Sequence, residues 1–513
     1  MIKKKKKEIK LHPALLFLAL TVVVMIVSSI CSILNIETSY YSVNPVTGDL
    51  ESVAVTIDSL FNRTGIQYLI SNMLSNFINF APLGTIIVGL LGIGVAYKSG
   101  FLTAVCKIIE KSIPHKLITF IIILFGILSS MFLESGYVII IPLAAILFMK
   151  IGRHPSAGIC AAFAGVTFGY GANFFVNGLD SSLVTYTRSA TKILDTSYTV
   201  GLSGNIYFMI ISSILIALVG TVITEKYIIP RLGKYVPSLE EEEPKEITEK
   251  ERKGLILSLT TFIIMSLVII YCIIPGLPFS GLFLDLKANT YVDQLFGDSS
   301  YFNQGIVVIE SFMLMVTGLI YGLRVKTIKN NRDFVDGMNY YLSELTSILV
   351  LIFFAAQLCF IFKKSNLGVF ITASLTEILG KLPLTGIFLV IISFLFIIIC
   401  DIFLPVASTK WAIMSPVLVP MFMQSSLAPE LAQAVFRAAD SSIKGITPLF
   451  TYFVILIGFL QIYNQNKKES VILTDAIALI TPYTIAFTVL WLLIILGFYL
   501  IGIPLGPGVS AVL

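Results

Sequence analysis

Arg437, Asp440 and Lys444 stand at i, i+3 and i+7, a spacing that on a helix puts two cations and one carboxylate on a single face. Such a face can clamp the carboxylate of an anionic ligand, with Arg437 supplying the planar two-pronged contact that a lysine cannot. The same pattern also makes an internal ion pair that pins a helix. Asp180 and Asp440 are ionisable groups among apolar and small neighbours, the setting in which a carboxyl can carry a proton; Asp180 can equally cap the helix that follows it. Trp411 adjoins Ser408, Thr409 and Lys410, so a flat ring and two hydroxyls stand where an aromatic ligand can stack and be oriented. Anchoring at a membrane interface is the other common use of a membrane tryptophan, and it is the expected role of Trp491. Glu134 and Asp401 suit either a coupling cation or the cap of a half-helix.

The chain around these groups is far too apolar for a soluble protein. Of 513 residues, 56% are hydrophobic and 13% charged, against about a quarter charged in soluble domains. Segments 14–34, 205–223, 255–274, 306–321 and 479–499 approach or reach the roughly 20 apolar residues that cross a hydrocarbon core. The expected class is an all-α polytopic membrane protein whose one membrane domain fills the chain. The net charge of +5 is dominated by the lysines at 3–7, a topology signal and no sign of a nucleic-acid partner. Six cysteines lie singly without metal spacing. No nucleotide loop, no H-E-x-x-H and only three histidines are present, so neither cofactor nor metal is expected. Asn62-Arg63-Thr64 matches a glycosylation acceptor, a pattern too common to carry weight.

Basic residues fix the orientation, since they are retained on the cytoplasmic side of short connections. The N-terminus starts inside; 37–64 lies outside; Lys98, Lys107, Lys111 and Lys116 mark a return to the cytoplasm. Residues 117–150 form an apolar pair with a polar middle and basic residues at both ends, which a re-entrant hairpin satisfies better than two crossings. A helix over 156–173 then breaks across 171–180. After a hydrophilic cytoplasmic loop at 225–253, which holds the acidic run 240–243, the second half replays the first. Lys363-Lys364-Ser365 echoes Tyr97-Lys98-Ser99, and a second hairpin at 384–423, with its tip near 405–411, precedes a second broken helix at 429–461 that returns to the lysines at 467–468. The repeats, about 66–224 and 338–502, have opposite orientation, which leaves the C-terminus outside. Inverted repeats of this kind build secondary transporters, whose ligand and ion sites lie where hairpin tips and broken helices meet. That rule selects 129–136, 171–180, 407–411 and 437–448, and with them Asn173, Asp180, Ser408, Trp411, Arg437 and Asp440. Pro405, Pro416, Pro420, Pro429 and Pro448 mark the breaks and bends.

The expected cargo is a small anionic organic solute driven by a proton or sodium gradient. A passive channel for such anions is the alternative, and a membrane-embedded hydrolase using Asp180 and Asp440 as acid and base is a remote third.

The sequence resembles the AbgT family of p-aminobenzoyl-glutamate transporters. The likeness is carried by Asn79-Phe80-Ala81-Pro82-Leu83-Gly84-Thr85, by Gly136-Tyr137-Val138 with Ile141-Pro142-Leu143, by Gly152-Arg153-His154-Pro155, and by Ser408, Trp411, Pro416, Val419-Pro420-Met421, Pro429-Glu430-Leu431, Arg437, Asp440 and Ile446-Thr447-Pro448. It spans nearly the whole chain. The resemblance implies a homodimer in the cytoplasmic membrane, with about nine transmembrane helices and two re-entrant hairpins per subunit, divided into a dimerising scaffold and a transport core. It implies transport of p-aminobenzoyl-glutamate, in some members export of sulfonamide drugs, and functional roles for Asp180, Ser408, Trp411, Pro429, Arg437, Asp440 and Pro448. The hairpin tips depart from the family pattern, being bulkier and more apolar at Ser129–Ser135 and at Pro405-Val406.

Overall fold

A computed structural model describes residues 12–43, 50–132, 134–236, 246–465 and 470–513. The lysines at 3–7, Leu133, the acidic run 240–243 and the lysines at 467–468 lie outside the described residues.

The chain is mostly helical. Helix α1 (Pro13–Ile33) starts on a proline in its first turn, where the missing N–H costs no bond. Strands β1 (Glu37–Val43) and β2 (Leu50–Thr56) then pair antiparallel, Glu37 opposite Thr56, in a stretch expected to be loop. They rest on helices of the second half. Helices α2 (Arg63–Ile78) and α3 (Ala81–Lys98) follow, then the amphipathic α4 (Phe101–Ser112). The first hairpin consists of α5 (His115–Leu128), a tight turn over Ser129–Phe132, α6 (Ser135–Val138) and α7 (Ile140–Lys150). Next come α8 (Pro155–Phe168), α9 (Gly178–Thr191), α10 (Ile206–Ile223), α11 (Ile229–Leu232), α12 (Glu249–Ile273), α13 (Tyr291–Phe296) and α14 (Tyr301–Val325). The second half holds α15 (Asn331–Lys364), α16 (Leu367–Gly380), the hairpin arms α17 (Gly386–Phe403) and α18 (Ala407–Gln424), then α19 (Pro429–Ile443), α20 (Phe453–Ile462) and α21 (Leu473–Ile501).

Both halves thus run through the same succession: a scaffold helix, a short helix, a hairpin, a broken helix and a final span. The likeness reaches single atoms. After α3, the Ser99 hydroxyl donates to Ala96 O and accepts from the Phe101 N–H; after α15, Ser365 donates to Phe362 O and accepts from the Leu367 N–H. In each case the next residue, Gly100 or Asn366, takes a left-handed backbone at φ 87° or 59°, the conformation that Gly and Asn tolerate best. The Lys-Ser echo read in the sequence is this shared turn.

Among the described residues, eight helices are long and apolar enough to cross a membrane, or nine if the bent α15 is one span. That tally includes one arm of each hairpin and passes over both broken helices, because their halves are short. Pairing α2 with α3, α8 with α9 and α19 with α20, beside α1, α10, α12, α14, α15 and α21, gives nine crossings and two hairpins. Helices α14 and α15 pack on α3. A Cβ on Gly92 would sit 2.0 Å from the Ser311 carbonyl oxygen, so glycine is what lets α3 and α14 touch. Helices α8 and α19 lie at the centre: all of α8 is buried, as is α19 through Ser442. Small residues make that possible in α8. In α19 the buried set includes Arg437 and Asp440, which therefore need partners.

Candidate functional site

The two hairpin tips and the two helix breaks converge on one cavity of about 220 Å³. Glu134 and Tyr137 enter from the first hairpin, Tyr170 and Ser182 from around the first break, Pro405 and Ser408 from the second hairpin, and Lys444 and Tyr452 from the second break. Tyr137 stacks on Tyr452 with ring centroids 4.6 Å apart, and Phe450 meets Tyr137 edge-on at 5.6 Å. The lining therefore offers an ammonium, carboxylates at Glu134 and Asp298, hydroxyls at Ser182, Ser408 and Thr451, and a wall of rings. Two neighbouring cavities share lining with it, one of about 510 Å³ through Glu134 and Asp298 and one of about 360 Å³ through Pro405, Val406, Leu449 and Thr451. A further cavity of about 870 Å³ lies at the far end of α7, lined by Tyr97, Met149, Tyr340, Tyr341 and Tyr463. It shares no lining residue with the cavity at the tips.

Below the tip cavity the buried charges form a lattice of pairs. Arg437 donates through Nη1 to Asp180 and through Nε to Gly171 O at 3.1 Å. Asp180 is also the third residue of α9, where its other oxygen accepts the Asn177 N–H at 2.7 Å while Asn177 caps the helix in return. Asp180 thus caps α9, one of the two roles open to it in the sequence, and also pairs with Arg437 of α19, a contact the sequence does not announce. Lys444 lies 2.9 Å from Asp440 Oδ2, and its ammonium sits 3.7 Å from the Tyr170 ring centroid, close enough for a cation–π contact. Lys410 pairs with Asp401 and lies 2.8 Å from Asp440 Oδ1. Three carboxylates and three cations are therefore matched, and nearly all are inaccessible to solvent.

The breaks bind each other through their backbones. The Gly171 N–H donates to Ser441 Oγ at 2.7 Å, and a Cβ on Gly171 would lie 2.6 Å from both Arg437 O and Ser441 Oγ. Asn173 accepts the N–H groups of Phe174 and Phe175 and donates to Ser130 Oγ at 3.0 Å, tying the first break to the first hairpin tip. The Thr447 hydroxyl donates to Ile402 O at 2.9 Å, the matching tie between second break and second hairpin. Pro448 lies within that break, and Pro429 opens α19 in its first turn.

Several expectations are corrected. Of the residues singled out in the sequence, Glu134, Pro405, Ser408 and Lys444 line the tip cavity; Asn173, Asp180, Trp411, Pro429, Arg437, Asp440 and Pro448 lie outside its lining. Trp411 is not at a hairpin tip. The tip is Leu404–Val406, and Trp411 sits a turn into α18, fully buried, its indole N–H donating to Thr187 Oγ1 at 3.0 Å and Leu183 O at 3.2 Å. Its ring packs on Phe436 at 4.6 Å, so it fastens α18 to α9 and α19. Trp491 is no interfacial anchor: it too is fully buried, donating to Phe168 O at 3.0 Å where α8 ends. The first break starts earlier than expected, at Gly169, and Arg437 and Asp440 stand on unbroken helix, the second break beginning at Lys444. The acid and base proposed for hydrolysis are each engaged by different cations.

Sequence reasoning passed over the cavity tyrosines and Glu310. Glu310 lies on α14, interacts with Ser135 of the first hairpin, and has one buried oxygen without a partner. A lone acid in an apolar span is a recognisable signal, but α14 lies between the two repeats, so the repeat pattern does not point to it.

Comparison with known proteins shows the family. The chain is 32% identical over 499 residues to the p-aminobenzoyl-glutamate transport protein of Escherichia coli (strain K12), covering 97% of this chain and 94% of that one. Two solved structures also align: the YdaH transporter of Alcanivorax borkumensis (30% identity, 97% of this chain and 100% of that chain, TM-score 0.49) and Neisseria gonorrhoeae MtrF, described with a class of antimetabolite efflux pumps (34%, 98% of each chain, TM-score 0.49). The profile of the AbgT putative transporter family matches residues 6–513, and with that match and the full-length relative the chain belongs to the AbgT family of multi-pass membrane transporters.

Proposed function

We propose that the chain is a secondary active transporter for p-aminobenzoyl-glutamate or a related aromatic, amino-acid-derived anion, working as a homodimer in the cytoplasmic membrane with its N-terminus inside and its C-terminus outside. The observation that carries this is the cavity at the hairpin tips, where an ammonium and a carboxylate face one space between aromatic walls. In this reading Lys444 takes the ligand's carboxylate, the Tyr137 and Tyr170 side of the cavity packs its ring, Ser408 orients it, and Glu134 accepts from an arylamine. Arg437 and Asp180 hold the breaks in register beneath. Ligand pockets commonly enclose about 300–1,000 Å³, a size reached here by the tip cavity together with the neighbours that share its lining. The separate cavity at the far end of α7 favours alternating access over a continuous pore.

The test is uptake of labelled p-aminobenzoyl-glutamate into proteoliposomes under imposed gradients. Lys444→Met should raise the half-saturating concentration about 10- to 100-fold, the loss of one charge-assisted contact of about 1.5–3 kcal/mol. Accumulation of neither p-aminobenzoyl-glutamate nor a sulfonamide, under any gradient and in either direction, would refute the assignment.

A further inference from the structure

Lys410 is an unusual residue to find with no solvent exposure one turn past a hairpin tip. Its ammonium is surrounded by oxygens from three elements: the Asp401 carboxylate of α17, Leu404 O at 3.1 Å and Asp440 Oδ1 of α19 at 2.8 Å. The Leu404 carbonyl belongs to the hairpin tip, where α17 has ended and the next residue is a proline. The Asp440 contact is an ion pair at an angle that makes no directed hydrogen bond. The second Asp401 oxygen is wholly buried and has no partner, so the pocket offers more oxygen than one ammonium uses.

Two carboxylates and a carbonyl from unwound backbone are the hard oxygen donors that small hard cations take, at the kind of break where transporters hold such ions. We propose that Lys410 is a tethered cation: its ammonium fills an oxygen site fit for a sodium ion, so the wild-type protein binds no sodium there. Lys444 neutralises the other side of Asp440, so the ammonium of Lys410 is the charge that answers Asp401. Truncating Lys410 to alanine removes that charge and leaves room along its four-carbon stem for a hydrated ion. The site is thereby converted from a permanently filled one to an exchangeable one. The consequence for flux, that wild-type transport is indifferent to sodium, rests on the transport function proposed above; the test does not.

The experiment is thermal unfolding of the purified full-length protein in detergent, in sodium chloride against choline chloride at equal ionic strength. Wild type should melt at the same temperature in both. Lys410→Ala should melt lower than wild type in choline and rise by several degrees in sodium, because an ion that binds only the folded state stabilises it. The double variant Lys410→Ala with Asp401→Asn, which restores the charge balance without a cation, should melt alike in both salts. Recovery of Lys410→Ala only from sodium-containing buffers supports the same conclusion. A sodium-specific rise in the wild type that Asp401→Asn abolishes would overturn it, as would a folded Lys410→Ala that responds no more than the double variant.

Discussion

Arg437→Ala should abolish transport and lower stability by about 3–5 kcal/mol, the cost of breaking a buried ion pair from one side. The guanidinium bridges α19 to Asp180 and to the carbonyl of Gly171, so its loss strands a carboxylate in the centre of the protein with only a backbone N–H for company. Replacing both partners, Asp180→Asn with Arg437→Gln, removes the stranded charge and should recover most of the stability while transport stays absent. Chemical unfolding in detergent, set beside uptake, separates the two effects. Equal stability of the single and double variants would mean that the pair does not hold the breaks together.

Gly171→Ala is the second severe change, although it adds one methyl group. That methyl would lie 2.6 Å from a backbone oxygen and 2.6 Å from Ser441 Oγ, and backbone cannot swing aside as a side chain does. Forcing the two breaks apart should cost about 1–3 kcal/mol and weaken the Ser441 bond to the Gly171 N–H. Transport should fall at least tenfold, with little change at α1 or α12, which lie away from the contact. Gly201, where an added Cβ meets nothing within 4 Å, is the control: Gly201→Ala should leave both readouts unchanged.

The parts of this architecture visible in the sequence are those governed by local chemistry. Long apolar runs declared the spans, and glycines and prolines declared the breaks. The i, i+4 pair of Asp440 and Lys444 forms as its spacing allows. What stayed hidden depends on distance along the chain. Asp180 and Arg437 are 257 residues apart, and their meeting follows from the way α9 and α19 face each other, which periodicity does not encode. Lys410 reaches Asp401 across a hairpin tip, a separation of 9 residues that matches neither helix nor strand spacing. Trp411 misled for a related reason: a tryptophan beside hydroxyls looks the same whether it faces a ligand or a neighbouring helix, and only the orientation of α18 decides. The β-hairpin after α1 is hard to see in the sequence because neither Glu37–Val43 nor Leu50–Thr56 alternates apolar with polar residues along its length, and β2 is mostly exposed.

The lattice of three carboxylates and three cations has an electrical meaning as well as a mechanical one. With every member ionised, the cluster sums to zero. Displacing one elementary charge through a potential of 100 mV takes about 2.3 kcal/mol, so a segment carrying unbalanced charge would be dragged or held by the membrane voltage at each cycle. A segment carrying this cluster moves through the field without electrical work of its own. Any voltage dependence must then come from charges outside the cluster, such as Glu134 and Glu310, or from what enters from outside.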